Sequence, residues 1–195
     1  VAVSDNGDVF AIASIGGKGK PNAISIIKGR AIDNFHVGYG KPDETDQIVM
    51  GTRSRKRSSL DFWYDKNKLY LKAFINDADT SINRDLTMQL QTGTKPSQSI
   101  YSFTIAPDNT LKVCHNFNGK KNYENNIKAI KHKVSYSNDH LELELAIPFK
   151  FLKAKTSNAI RCNITIRHGN ETDTIPAIAV DNPETWPRLV FCQDQ

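Results

Sequence analysis

Asn76, Asp77, Asp79, Asn83 and Asp85 gather carboxylate and amide oxygens over one short stretch. Calcium takes roughly six to eight oxygens, which closely spaced Asp and Asn side chains and loop carbonyls supply. Asp77, Asp79 and Asp85 are therefore the expected ligands of a structural calcium ion. The competing reading is a solvated turn, because the glycine and closing glutamate of an EF-hand loop are missing. The second available chemistry is stacking. Sugar C–H faces pack on flat rings while amides and charges take the hydroxyls, and the two tryptophans are Trp63 and Trp186. Trp186 lies between Pro183 and Pro187 in a loop, where binding aromatics commonly sit. A sugar platform of Trp186 with Arg167 nearby, and Trp63 as a further ligand-binding ring, is the expectation; for each ring the alternative is a packing role.

Covalent chemistry finds no support. There is no nucleophile elbow, phosphate loop, dinucleotide fingerprint or zinc-protease motif. His36, His115, His132, His140 and His168 are scattered singly. Cys114 and His115 are adjacent, and consecutive strand residues face opposite sides, which argues against a nucleophile–base pair. Glu142 and Glu144 share one strand face about 7 Å apart, an arrangement common on strand surfaces and usually inert. The chain by itself is expected not to be an enzyme.

At 195 residues, with 38% hydrophobic and 24% charged residues, the chain suits one domain with a real core, residues 1–195. It contains no apolar run long enough to span a bilayer. Beginning at Val1 without a leader, it reads as a processed protein or as a domain of a longer one. The net charge of +5 mildly favours acidic partners, with basic residues concentrated at Arg53–Arg57 and from Lys120 to Lys133. The first reading of these residues is an ordinary solvated face; as a partner, a polyanionic glycan is favoured over nucleic acid, since no nucleic-acid-binding motif accompanies the charge. Of three cysteines, Cys162 and Cys192 could pair, or Cys114, Cys162 and Cys192 could all be buried thiols. No spacing suits structural zinc.

Short alternating strands must hold these groups. Leu60, Phe62 and Tyr64 alternate before a turn at Asp65-Lys66-Asn67, and Leu69, Leu71, Ala73 and Ile75 alternate after it, which describes a β-hairpin with one face in a core. That leaves Trp63 on the other face. Leu141, Leu143, Leu145 and Ile147 form the cleanest half-buried strand, ended by Pro148 and followed by one helical turn near Phe149–Lys153. Further strands are expected at Val9–Ile15, Ala23–Arg30, Gln47–Gly51, Leu86–Thr92, Ser99–Ala106, Leu111–Phe117, Ile127–Ser135, Ile160–Arg167, Ile175–Val180 and Arg188–Cys192. Asp33–Asp46 and Asn118–Asn126 read as loops. The pattern predicts an all-β chain, an antiparallel, jelly-roll-like β-sandwich of about ten to twelve short strands.

Leu60-Asp61-Phe62-Trp63-Tyr64-Asp65, Leu69-Tyr70-Leu71 and Ile75-Asn76-Asp77 resemble the opening of family 9 carbohydrate-binding modules and related cytochrome-type (DOMON) sandwich domains. Leu141–Phe149 with Leu152, Ile160-Arg161-Cys162-Asn163-Ile164 and Pro183–Leu189 resemble that family's later strands, in the same order, over residues 60–191. The resemblance implies a non-catalytic polysaccharide-binding β-sandwich, carried by a secreted glycan-degrading enzyme, extracellular or periplasmic, with structural calcium and a sugar held between two tryptophans. It implies a glycan partner, which the net charge would allow to be acidic, and a chain that is monomeric or tethered to a catalytic domain. Only Trp186 matches a clamp tryptophan; Ser81–Asp85, where the other belongs, has no aromatic. Haem, bound by the cytochrome-type relatives, would need a pair such as Met50 and His168 and is disfavoured. The alternatives are a structural or assembly sandwich that has lost its sugar site, and a polyanion-binding module.

Overall fold

The computed structural model describes residues 2–3, 8–15, 23–30, 34–40, 48–50, 58–76, 84–92, 99–137, 140–155, 160–168, 171–175 and 183–192. The chain divides into two compact units, Val1–Asp33 and Asn34–Gln195. In the first, β1 (Ala2–Val3), β2 (Asp8–Ile15) and β3 (Ala23–Arg30) form an antiparallel sheet in that order.

The second unit is the sandwich. Its strands are β4 (Asn34–Tyr39), β5 (Ile48–Met50), β6 (Ser58–Tyr64), β7 (Lys68–Asn76), β8 (Arg84–Gln91), β9 (Ser99–Ile105), β10 (Leu111–Phe117), β11 (Lys120–Tyr123), β12 (Lys131–Ser137), β13 (His140–Pro148), β14 (Ile160–His168), β15 (Glu171–Ile175) and β16 (Arg188–Phe191), with one helical turn, α1 (Phe149–Leu152). Hydrogen bonding runs in the order β11-β10-β9-β8-β14-β16-β4-β6-β7-β13-β12, with β15 beside β14 and β5 beside β6. β4 joins the two layers. Asn34–Val37 pair in parallel with β16, and Gly38 and Tyr39 pair in parallel with Trp63 and Tyr64 of β6.

Alternation explains the packing, because successive strand residues face opposite sides. Leu60, Phe62 and Tyr64, then Leu69, Leu71, Ala73 and Ile75, are buried as the hairpin pattern requires. Leu141 to Ile147 meet them from β13, and Leu86, Met88, Leu90, Phe103, Ile164 and Ile166 come from the other layer. Phe35 stacks on Phe62 with ring centroids 5.9 Å apart. Cys162 is buried among these side chains, whereas Cys114 is half-buried and Cys192 exposed; all three thiols are free.

Two segments expected to be loops contain strands. Asn34–Tyr39 is β4; its Phe35 and Val37 are the only apolar pair in a polar, glycine-punctuated stretch, too short a signal to register as alternation. Lys120–Tyr123 is β11. It folds back on β10 through Asn118 (φ 50°) and Gly119 (φ 81°), the pair of left-handed residues that a tight hairpin turn needs. The sandwich is also mixed and not purely antiparallel, because β4 runs parallel to both neighbours.

Near one end of the interlayer space the inward positions turn polar. Ser99 Oγ lies 2.9 Å from His115 Nε2, His115 Nδ1 lies 3.8 Å from Glu124 Oε1, and the imidazole stacks on Tyr101 at 4.1 Å. Burial holds His115 below its usual 6.5; the Glu124 carboxylate works against this and the Lys153 ammonium with it. The unfolded chain therefore binds this proton more readily, and stability rises with pH between the depressed value and 6.5. Acidification through that window should destabilise the parent, and a His115→Phe variant should lose that part of the slope. Ring-proton NMR would report the titration, and a midpoint at or above 6.5 would contradict it. In the core, Leu143→Ala should cost about 2–5 kcal/mol by denaturant unfolding.

Candidate functional site: the outer face of the Trp186 layer

The residues that alternate away from the core on β8, β9, β10 and β14 are polar and aligned in register. Thr104, Thr87 and Thr165 stand opposite one another across three strands, and Thr174 of β15 continues the row. Thr87 and Thr104 hydroxyls are 3.0 Å apart, and those of Thr165 and Thr174 are 3.3 Å apart. The next row runs Cys114, Ser102, Gln89 and Asn163, with Gln89 Nε2 donating to Ser102 Oγ at 3.3 Å. Gln91 and Arg161 pair one step further along.

A cleft of about 420 Å³ opens over this face, floored by Gln89, Ser102 and Thr104 and closed at one side by Pro183 and Trp186. Lys112, Lys121 and Tyr123 rim the other side, and Tyr123 is 74% exposed. Asn116 also lines the cleft, and its Oδ1 is buried without a hydrogen-bond partner. So is Nδ2 of Asn163, whose side chain is fully buried next to Gln89 in its row. Buried polar groups lacking partners are rare in proteins and cost about 1–3 kcal/mol each, so the Asn116 acceptor in the cleft invites a ligand hydroxyl or a bridging water, whereas Asn163, which does not line the cleft, lies out of a ligand's reach.

Trp186 is held from beneath. The Arg161 Nη1 donates to its carbonyl at 2.9 Å, and the Cys162 amide donates to the Pro187 carbonyl at 2.8 Å. The indole is only 3% exposed, so it acts as a wall of the cleft and not as the open platform expected of a loop tryptophan. Arg167 is not beside it. Six residues along β14 from Arg161 place it roughly 20 Å away, where its guanidinium grips Asp85, Nε donating to Oδ1 at 3.1 Å and Nη2 to Oδ2. Arg161, on the same face of the same strand, is the arginine that meets Trp186.

Trp63 faces outward as its alternation requires, but on the other layer, where it stacks on Tyr70 with ring centroids 5.2 Å apart and planes within 3°. The two tryptophans thus lie on opposite outer faces and cannot clamp one sugar between them. Asp77 and Asp79 lie outside the described residues, as do the side chains of Met50 and His168. Both carboxylate oxygens of Asp85 accept from Arg167, and the described residues include no cluster of metal-ligating side chains.

Glu142 and Glu144 share an outer face and are drawn together by Lys72, whose Nζ lies 2.7 Å from one and 3.6 Å from the other. The Lys72 ammonium holds the Glu142 carboxyl below its usual range. Sequence reading missed the approach of Ser99, His115 and Glu124, because they come from two strands and a loop. Their order imitates a nucleophile, a base and an orienting carboxylate. However, 3.8 Å between Glu124 and His115 is too long for the orienting hydrogen bond.

No family model matches the chain, and no curated protein matches it. Solved structures do. A family 9 carbohydrate-binding module from Caldicellulosiruptor kristjanssonii in complex with glucose superposes with a TM-score of 0.59 at 13% identity, over 83% of this chain and 97% of that one. The same kind of module with cellotriose gives 0.58 at 14% identity, over 83% and 95%. A Bacteroides uniformis protein, whose description as carbohydrate-binding is itself an inference, gives 0.56 at 10% identity, over 75% and 86%. The chain has the fold of family 9 carbohydrate-binding modules.

Proposed function

We propose that the chain is a non-catalytic glycan-binding module whose site is the cleft over β8, β9, β10 and β14. The observation that supports this most is the open Asn116 Oδ1 in the cleft, beside a row of amides and hydroxyls that sugar hydroxyls can complete. Gln89, Ser102 and Thr104 would meet the sugar's hydroxyls, and exposed Tyr123 would offer a ring for its C–H face. Lys112 and Lys121 at the rim would favour a glycan carrying carboxylates. Trp186 shapes one wall. The structural neighbours were captured with glucose and cellotriose, which makes cello-oligosaccharides the first ligands to test. In this reading the module serves a polysaccharide-degrading enzyme outside the cell, holding it on its polymer. Among the described residues no helix is long and apolar enough to cross a membrane.

Calorimetry with cello-oligosaccharides and their uronate-bearing counterparts should detect binding. A Gln89→Ala, Asn116→Ala double variant should lose about tenfold in affinity, from two hydrogen bonds worth about 0.5–1.5 kcal/mol each, with little change in melting temperature. Absence of binding to every glycan would favour a structural or assembly role.

Calcium is kept in the proposal for Asp77 and Asp79, and Asp85 is left to Arg167. Asp85→Asn should cost less than about 1 kcal/mol, the usual worth of an exposed pair, and the loss should be equal in excess calcium and in EDTA. Calcium-dependent stabilisation of the parent that disappears in Asp85→Asn would restore Asp85 as a ligand.

A further inference from the structure

The outer face of the second layer carries its own constructed surface. Trp63, Tyr70, Ala146 and Lys131 stand in one row across β6, β7, β13 and β12. Asp61, Lys72, Glu144 and Lys133 form the next row. Trp63 covers one face of the Tyr70 ring. On the other side stands Ala146, whose single methyl leaves a trough of about 260 Å³ between the Tyr70 ring and Lys131, with Lys133 and Glu144 along its flank.

Tyr70 is fixed before any ligand arrives. Its hydroxyl donates to Asp65 Oδ2 at 2.7 Å, while Asp65 Oδ1 accepts the Asn67 and Lys68 amides that close the hairpin turn. Tyr70 and Lys131 are separated by two strand spacings, about 10 Å. A ring stacked on Tyr70 at the usual separation of about 5 Å would sit over Ala146, with its far edge toward Lys131. The lysines are exposed and make no ion pair among the described residues. Glu144 is turned to Lys72, so the trough's uncommitted charge is positive.

We propose that this trough is a second, independent glycan subsite that takes a uronate-bearing sugar: the pyranose C–H face lies on Tyr70, the carboxylate meets Lys131 and Lys133, and Glu144 accepts a hydroxyl. The chain then holds glycan on both outer faces of its sandwich.

The test is NMR of the ¹⁵N-labelled full chain, in which the Trp63 and Trp186 indole N–H resonances report the trough and the cleft separately, so that failure of one reading is distinguishable from failure of the other. Tetragalacturonate should shift the Trp63 resonance saturably, and its methyl ester at least tenfold more weakly. Lys131→Glu with Lys133→Glu should abolish the Trp63 response and leave the Trp186 resonance unchanged. Ala146→Leu, which fills the trough and keeps both lysines, should weaken the Trp63 response at least tenfold. The proposal is overturned by a Trp63 resonance indifferent to uronate, by equal response to acid and ester, or by indifference to both variants. A tighter response to a thymidine oligonucleotide would overturn it in favour of nucleic acid.

Discussion

A strand gives each side chain only two directions, and in this sandwich the core takes one of them along every long strand. Leu86, Met88 and Leu90 inward oblige Thr87, Gln89 and Gln91 outward. Leu141 to Ile147 inward likewise oblige Glu142, Glu144 and Ala146 outward. A slip of one residue would exchange the two sets. It would cost far more than any surface contact could return, so burial of the apolar half holds the polar half in register. The hydroxyl row of the cleft and the aromatic row of the trough are both consequences of that constraint.

The two faces nevertheless differ in kind. On the Trp186 layer, short hydroxyl and amide side chains leave a floor with hydrogen-bonding capacity still open. On the Trp63 layer, long side chains satisfy one another, as in the Lys72–Glu142 pair, and the opening arises where one of them is replaced by the Ala146 methyl. Recognition would be hydrogen-bonded on one side, and stacked and charged on the other.

The hairpin around Asp65, the strand from Leu141, the helical turn after Pro148 and the all-β class were legible in the sequence, because each rests on local alternation or a local breaker. What escaped was non-local. Asn34–Tyr39 has too few apolar residues to announce a strand, and it forms one because β16 and β6 supply partners from far along the chain. Asn118-Gly119 carries a turn signal, but the lysines after it have no apolar alternation to mark a strand. At the site, alternation correctly turned Trp63 outward without saying which layer it stood on. The proline-bracketed loop sequence of Trp186 points to open solvent, whereas hydrogen bonds to its own carbonyl and the next draw it down onto the sheet. Arg167 and Arg161 are interchangeable in pattern, and only the position of the last strand chooses between them.

The sheet path has two ends, β11 and β12. A terminal strand presents unpaired amides and carbonyls to any passing extended chain, which is how folded β proteins come to polymerise. Here both ends carry lysine pairs, Lys120 with Lys121 and Lys131 with Lys133, all exposed. Two copies approaching end to end would bring ammonium against ammonium. The same basic residues proposed to meet a uronate would thus also oppose growth into fibres, and neutralising them with a polyanion in excess would remove that protection.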